Sequence, residues 1–399
     1  MIYKSAQHGL SLIELMVSIT LSLLMSLAIF SALEGSESRK RTVTSINDLN
    51  QVGAYALYSL DKILRSAGSG FSQSAAVAYG CPLRASKGST QILPFPASMP
   101  TPFTALNAAL SGNYRLAPIM IAKDATAPNI SGAGLAIARS DALIVMSGSA
   151  GLGEVSTLFS AQATASEVFL HSTISFQNND LILLNDSPGP TGPTPCMIQQ
   201  VSSGFSSTAT PSSLALAGDY QANPIAGKNS NTYLRQATAI SLGSATDSNP
   251  PQFYLLGVGD NNTLFSYDLL QMGAYNATQE IADGIFEMHA LYGVDTNDDG
   301  QMDDWADPGT GIYTLATLQS GTDASIATLR SIKAIRLGLI LRTSLPEKVT
   351  STPTTAGPLK LFADLGSKAY SRTLAPSEQN FRYRTVETTI PFRNTLLLN

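Results

Sequence analysis

Charge is scarce in this sequence. Only 13% of the 399 residues are Asp, Glu, Lys or Arg, and the formal net charge is −5. A nucleic-acid binder with a broad basic surface needs clustered Lys and Arg. The one dense cluster is SRKRT, Ser38–Thr42, so no nucleic-acid partner is required. Histidine is scarcer still, at His8, His171 and His289. No H-E-x-x-H, G-x-S-x-G or Walker sequence occurs, and nothing points to an enzyme. His171 in VFLHSTI and His289 in FEMHALY lie in apolar strand-like runs and read as satisfied sheet histidines. The two cysteines, Cys81 and Cys196, lack the C-x-x-C spacing of a metal site. No internal repeat of fixed period is present.

Charge is absent altogether from Leu15 to Leu33. Counted from Leu10 and drawn as a helix, the apolar run is about 36 Å long. That crosses a hydrocarbon core of about 30 Å with some tilt. Ser11, Ser18, Thr20, Ser22 and Ser26 are tolerated, because hydroxyls bond back to helix carbonyls. A secretory signal fits poorly: its apolar region is shorter, and a small-x-small cleavage site should follow. The exception to the oily pattern is Glu14, near one end. An acid placed centrally in a membrane costs about 2.5–3.5 kcal/mol and is a functional hypothesis by default. Cutting between Gly9 and Leu10 would expose an amine at the membrane edge, a natural partner for Glu14. The short basic leader carries Lys4 and places the start of the chain in the cytoplasm.

The stretch G-LSLIELMVSITL resembles the class III signal of type IV prepilins. The resemblance implies peptidase cleavage after Gly9, N-methylation of Leu10 and an assembly role for Glu14. Leu10 and Ser11 depart from the usual Phe and Thr. Further on, IADGIFEMHALYGVDTNDDG, IKAIRLGLILRT and FRYRTVETTIPFRN resemble the C-terminal half of PilW-type minor pilins. This implies an α+β fold, in which a long N-terminal helix packs on an antiparallel sheet and carries an enlarged β-rich head. It also implies a place in the priming complex at the pilus tip. The implied partners are other minor and major pilins, the prepilin peptidase, the inner-membrane assembly platform, membrane lipid and a tip adhesin. The chain would span the inner membrane once, head in the periplasm, before joining the pilus at the cell surface. A type II secretion pseudopilin and a membrane-anchored calcium-dependent adhesin are the alternatives.

The expected organisation is a leader over 1–9, a helix over 10–67 with its membrane part at 10–33, a β-rich and loop-rich head over 68–231, and a C-terminal β-rich part over 232–399. In the helix, Val43, Ile46, Leu49, Val52, Ala56, Leu57, Leu60, Ile63 and Leu64 recur at three and four and should pack on a sheet. SAGSG stops it. The proline-punctuated CPLRASKGSTQILPFPASMPTPF reads as largely loop. DALIVMSG, EVFLHSTI, DLILLND and CMIQQVSS read as strands, and PQFYLLGVGDNNTLFSYDLL as a hairpin turning at GDNN. In SIKAIRLGLILRTS, Ile335, Leu337, Leu339 and Leu341 share one face, with Arg336 and Arg342 on the other. The spacing of Phe381, Tyr383, Val386 and Ile390 implies a bulge.

Two further features carry chemistry. In an exported chain an even cysteine pair favours one disulfide, Cys81–Cys196, over two separate buried thiols. In VDTNDDGQMDDW, the residues Asp295, Asn297, Asp299, Gln301 and Asp303 fall at the oxygen positions of a calcium loop, with Gly300 at the sharp turn. Position 12 is Ala306 rather than Glu, so the loop resembles the shorter dockerin type. Calcium with a structural role is the expected cofactor. Trp305 beside it reads as a core residue.

Overall fold

The structure is a computed structural model. It describes residues 11–88, 90–126, 140–150, 156–186, 195–207, 213–271, 277–347 and 353–395. The chain forms two units, one ending at Gln51 and one beginning at Val52.

The first element is one helix, Leu12–Arg65. Nothing within it breaks the pattern; Gly35 and Gly53 are both absorbed. It is long and apolar enough, by length and composition, to cross a membrane. Ser18, Thr20, Ser22, Ser26 and Ser31 each donate to a carbonyl three or four residues back, so the hydroxyls are satisfied without water. The helix stops where expected. Gly68 and Gly70 both take positive φ, +79° and +85°, and the Gly68 N–H leaves the helical pattern to donate to the Met146 carbonyl at 2.9 Å.

In the second unit the helix buries Ala56, Leu60 and Leu64 completely. These are one face at i, i+4 and i+8. Gly53 continues that face: a Cβ there would lie 2.6 Å from Leu341 Cδ1 and 3.9 Å from Val386 Cγ1. The helix thus lies against strands Ile332–Arg342 and Tyr383–Pro391. In the first unit Val43 and Ile46 are exposed.

Three main sheets follow. The four-stranded sheet has the order 304–306, 285–294, 332–342, 383–391. The five-stranded sheet has the order 279–282, 263–268, 252–259, 140–147, 119–126. The six-stranded sheet has the order 90–93, 83–87, 196–200, 180–185, 238–244, 157–158. Pairing in these sheets is antiparallel except between Leu83–Arg84 and Cys196–Met197, which is parallel. At that pair the Cys81–Cys196 disulfide forms, with Cα atoms 5.6 Å apart and 115 residues of separation. The hairpin at GDNN forms as expected, with Asn261 and Asn262 both at φ 58°; Asn tolerates this left-handed turn.

The sheets interleave the chain. Strands 119–126 and 140–147 come from the part before residue 231, yet they complete the five-stranded sheet with 252–282. Strand 238–244 instead joins the earlier residues in the six-stranded sheet. The six-stranded sheet has its own core, including Phe159, Phe176, Ile182, Met197 and Tyr233.

Several expectations need correcting. The proline-rich stretch after Cys81 holds strands Leu83–Lys87 and Thr90–Leu93 and is followed by helix Thr104–Leu110; the strands are too short to show a period. Of EVFLHSTI only Glu167–Phe169 is strand, and His171 is exposed rather than held in a sheet. The last strand has no bulge. Its register with Ile332–Arg342 runs unbroken from Ala334↔Pro391 to Arg342↔Tyr383. The apparent phase shift arises because the face that Tyr383 occupies is covered at the start of the strand, whereas Thr385, Glu387, Thr389 and Pro391 further along that face are exposed. Val386 faces the helix. Tyr383 meets Phe286 edge-on, 5.3 Å between centroids, in a second core with Leu291, Ile340, Leu361, Phe362 and Leu374. Trp305 is half-buried against that core, and the Arg336 guanidinium lies 6.0 Å from its ring.

Candidate functional site

The first turn of the long helix is organised by two side chains. The Ser11 N–H donates to Glu14 Oε2 at 2.9 Å, and the Glu14 N–H donates to Ser11 Oγ at 3.3 Å. This is a capping box, in which Ser and a Glu three residues on satisfy each other's orphan amides. The S-x-x-E signal was present in the sequence, where Ser11 read instead as one more back-bonded hydroxyl. The box fixes Glu14 at the N-terminal end of the helix, where the macrodipole also favours a negative charge. Glu14 Oε1 is not used by the box. Gly9 and Leu10, the expected cleavage and methylation positions, lie outside the described residues. From Leu12 to Leu33 every side chain is exposed, so this unit presents a bare apolar rod with one carboxylate at its start.

The acidic loop forms its turn but does not gather its oxygens. Gly300 takes φ +84°. Asp295 is buried, and its carboxylate accepts the N–H groups of Asp298 at 2.7 Å, Asp299 at 3.3 Å and Gly300 at 2.8 Å. The Lys333 ammonium lies 3.8 Å away. Burial alone would push this carboxyl up; the three amides and Lys333 together hold it below its ordinary value. Asn297 donates to Asp299 at 3.2 Å, Asp303 accepts from the N–H and hydroxyl of Thr296, and Gln301 is exposed. Among the described residues no three acidic, His or Cys side chains are arranged to hold a metal ion. Asp295 and Asp303 thus accept from donors of the loop itself.

A third group was not foreseen. His289 is buried between two acids. One acid, Glu287, is two residues away on the same strand, but Asp141 on strand 140–147 and Tyr370 and Arg372 on the short hairpin 359–372 stand far away in the sequence, so no spacing rule could have assembled the group.

Comparison with known families gives two matches. The family described as Type IV Pilus-assembly protein W matches residues 253–394, which begin in strand 252–259 and run through the whole four-stranded sheet. The prokaryotic N-terminal methylation motif matches residues 4–30, which include Gly9, Leu10 and Glu14. No curated protein and no solved structure matches the chain. The prepilin signal, the apolar helix that it opens and the assembly-protein region at the other end together support a type IV pilus-associated pilin of the PilW type.

Proposed function

We propose that this pilin is a minor, non-enzymatic subunit that primes pilus assembly from the tip complex. The observation that carries the reading is the bare helix led by a single, positioned carboxylate. After cleavage behind Gly9, the amine of Leu10 on one subunit would meet Glu14 of a neighbour. In a low-dielectric helix bundle such a pairing counts for far more than in water, and it sets the axial register of the subunits. The large three-sheet head supports a terminal position, since a thin filament has little room for it at every repeat. Membership of the family implies contact with other pilins and with the prepilin peptidase; the assembly platform and a tip adhesin belong to the proposal. Before assembly the helix would span the inner membrane and the head would stand in the periplasm.

Calcium at Asp295, Asn297, Asp299, Gln301 and Asp303 is proposed on their spacing and on the turn at Gly300 alone.

The test is the mass of the mature N-terminus, together with the position of the protein on sheared pili seen by immunogold labelling. The expected results are a methylated Leu10 terminus and label confined to pilus ends. A chain that still begins at Met1 in normally piliated cells overturns the assembly role. Label along the whole filament overturns the tip position.

A further inference from the structure

His289 lies in the middle of strand Ile285–Val294 with 1% of its surface exposed. Its Nε2 is 3.3 Å from Glu287 Oε2, and its Nδ1 faces Asp141 Oδ1 at 3.6 Å with no other hydrogen-bond partner. The Tyr370 ring stacks on the imidazole, 3.7 Å between centroids, and closes it from solvent. A neutral imidazole has one N–H and one lone pair. It would donate to one carboxylate and turn a lone pair on the other. Only the doubly protonated ring suits both.

The surroundings continue the alternation of sign. On one side, the Lys123 ammonium is 3.9 Å from both Asp141 Oδ2 and Asp307 Oδ1, and the Asp124 N–H donates to Asp141 Oδ1. On the other, Arg372 Nε donates to Glu287 Oε1 at 2.7 Å, and its Nη2 is 2.9 Å from Glu378 Oε1. The Tyr370 hydroxyl donates to Glu287 Oε2 at 2.7 Å. The phenols of Tyr370 and Tyr292 are both pushed far up, first by burial and then, among other causes, by Glu287 and Asp141 respectively, with Asp124 adding to the effect on Tyr370; neither titrates near neutrality. Around the ring the carboxylates Asp141, Glu287 and Glu378, with Asp307 nearer the surface, outnumber the cationic side chains Arg372 and Lys123, so a neutral ring leaves the cluster short of positive charge. A charged His289 reduces that shortfall.

The same groups join sheets. Asp141 Oδ2 accepts the Ala290 N–H at 2.9 Å, and Ser140 Oγ accepts the Met288 N–H at 3.2 Å. Strand 140–147 thereby satisfies the open edge of strand 285–294. We propose that His289 is an imidazolium at neutral pH and the central cation of a clasp that fastens strand 140–147 and the 359–372 hairpin to strand 285–294, and that alkali releases this clasp. The direction of titration agrees. Burial alone would lower the His289 value, but Asp141 and Glu287 outweigh it and raise it above the ordinary 6.5. A group raised on folding contributes stability that is complete below its unfolded value and is lost as pH rises through its folded value.

The test uses the full mature chain in detergent micelles, labelled at histidine Cε1, with exposed His171 as the internal reference and His171→Gln to assign the two signals. At about pH 7, His289 should show the imidazolium shift. His289 should hold its proton to higher pH than the internal reference. A neutral His289 at that pH, or one that titrates with or below His171, overturns the proposal without any variant having to fold. Thermal melts supply the second arm. Wild-type melting temperature should fall as pH rises above about 7, and His289→Gln should lack that fall. A wild-type profile flat from about pH 6 to 9 refutes the release.

Discussion

Substitution of Glu14 by Gln separates two roles that the first turn combines. In the capping box the side chain acts only as an acceptor for the Ser11 N–H, at 2.9 Å. A Gln amide oxygen can do this too, since Glu and Gln both serve at this position. The change therefore keeps the cap and loses only the charge, with a macrodipole contribution of about 0.3–1 kcal/mol. Ser11→Ala does the reverse. It removes the acceptor of the Glu14 N–H, at 3.3 Å, costs about 1 kcal/mol of cap and leaves the carboxylate. Neither loss is large for a helix of 54 residues. If Glu14 pairs with a neighbour's amine in a dry bundle, removing its charge strands that amine. Breaking such a pair costs at least about 2 kcal/mol, roughly 30-fold in association. The assay is the yield of sheared pili from cells whose only copy of the gene carries each variant, normalised to the amount of the protein in the membrane. Glu14→Gln should cut the yield by an order of magnitude or more, whereas Ser11→Ala should stay near wild type. If Glu14→Gln cells are piliated like wild type, or the two variants are equally defective, Glu14 serves the cap and not the assembly.

Four more expectations follow from the head. Replacing Cys81 and Cys196 by Ser opens a closure of 115 residues and should cost about 4–5 kcal/mol in the chain-entropy treatment, read as a lower melting temperature that reductant no longer changes. Leu60→Ala, at a fully buried position, should cost about 2–5 kcal/mol in denaturant titration. Asp141 is held below its ordinary 3.8: burial would raise it, but His289, Lys123 and the Ala290 amide together outweigh burial. Its contribution is present above that ordinary value and is lost as pH falls through the folded one, so wild type should lose stability in acid more steeply than Asp141→Asn. Calcium added to the EDTA-treated chain should raise the melting temperature, with about 2.7 kcal/mol gained at a hundredfold excess over its dissociation constant; no rise at millimolar calcium removes the proposed loop site.

What was legible in the sequence was local. The helix showed in a charge-free run and a three-four period, its end in Gly68 and Gly70, and the 252–268 hairpin in two apolar runs about a polar turn. Such signals survive because a few adjacent residues carry them. Strands Leu83–Lys87 and Thr90–Leu93 were missed because four or five residues between prolines give no period to count. The last strand was misread because alternation presumes that one face stays wet throughout, and here the face that is exposed from Thr385 on is covered at Tyr383. The assembly carboxylate was visible through its cost in lipid, and its capping partner was visible but passed over. The His289 clasp was not visible at all. Each of its members is an ordinary polar residue until residues some 150 positions apart are brought together.

The interleaved sheets dictate the order in which the head can fold. Strand 140–147 waits for 252–259, and the edge of 285–294 waits for Ser140 and Asp141. Contacts so distant along the chain are slow to form. On the proposed route a polypeptide emerging from its exporter, anchored by its first helix, would leave one edge of strand 140–147 unpaired until strand 252–259 had crossed. Such a precursor would be open to proteases while it waits, and a break between strands 140–147 and 252–259 would separate the two parts of the five-stranded sheet.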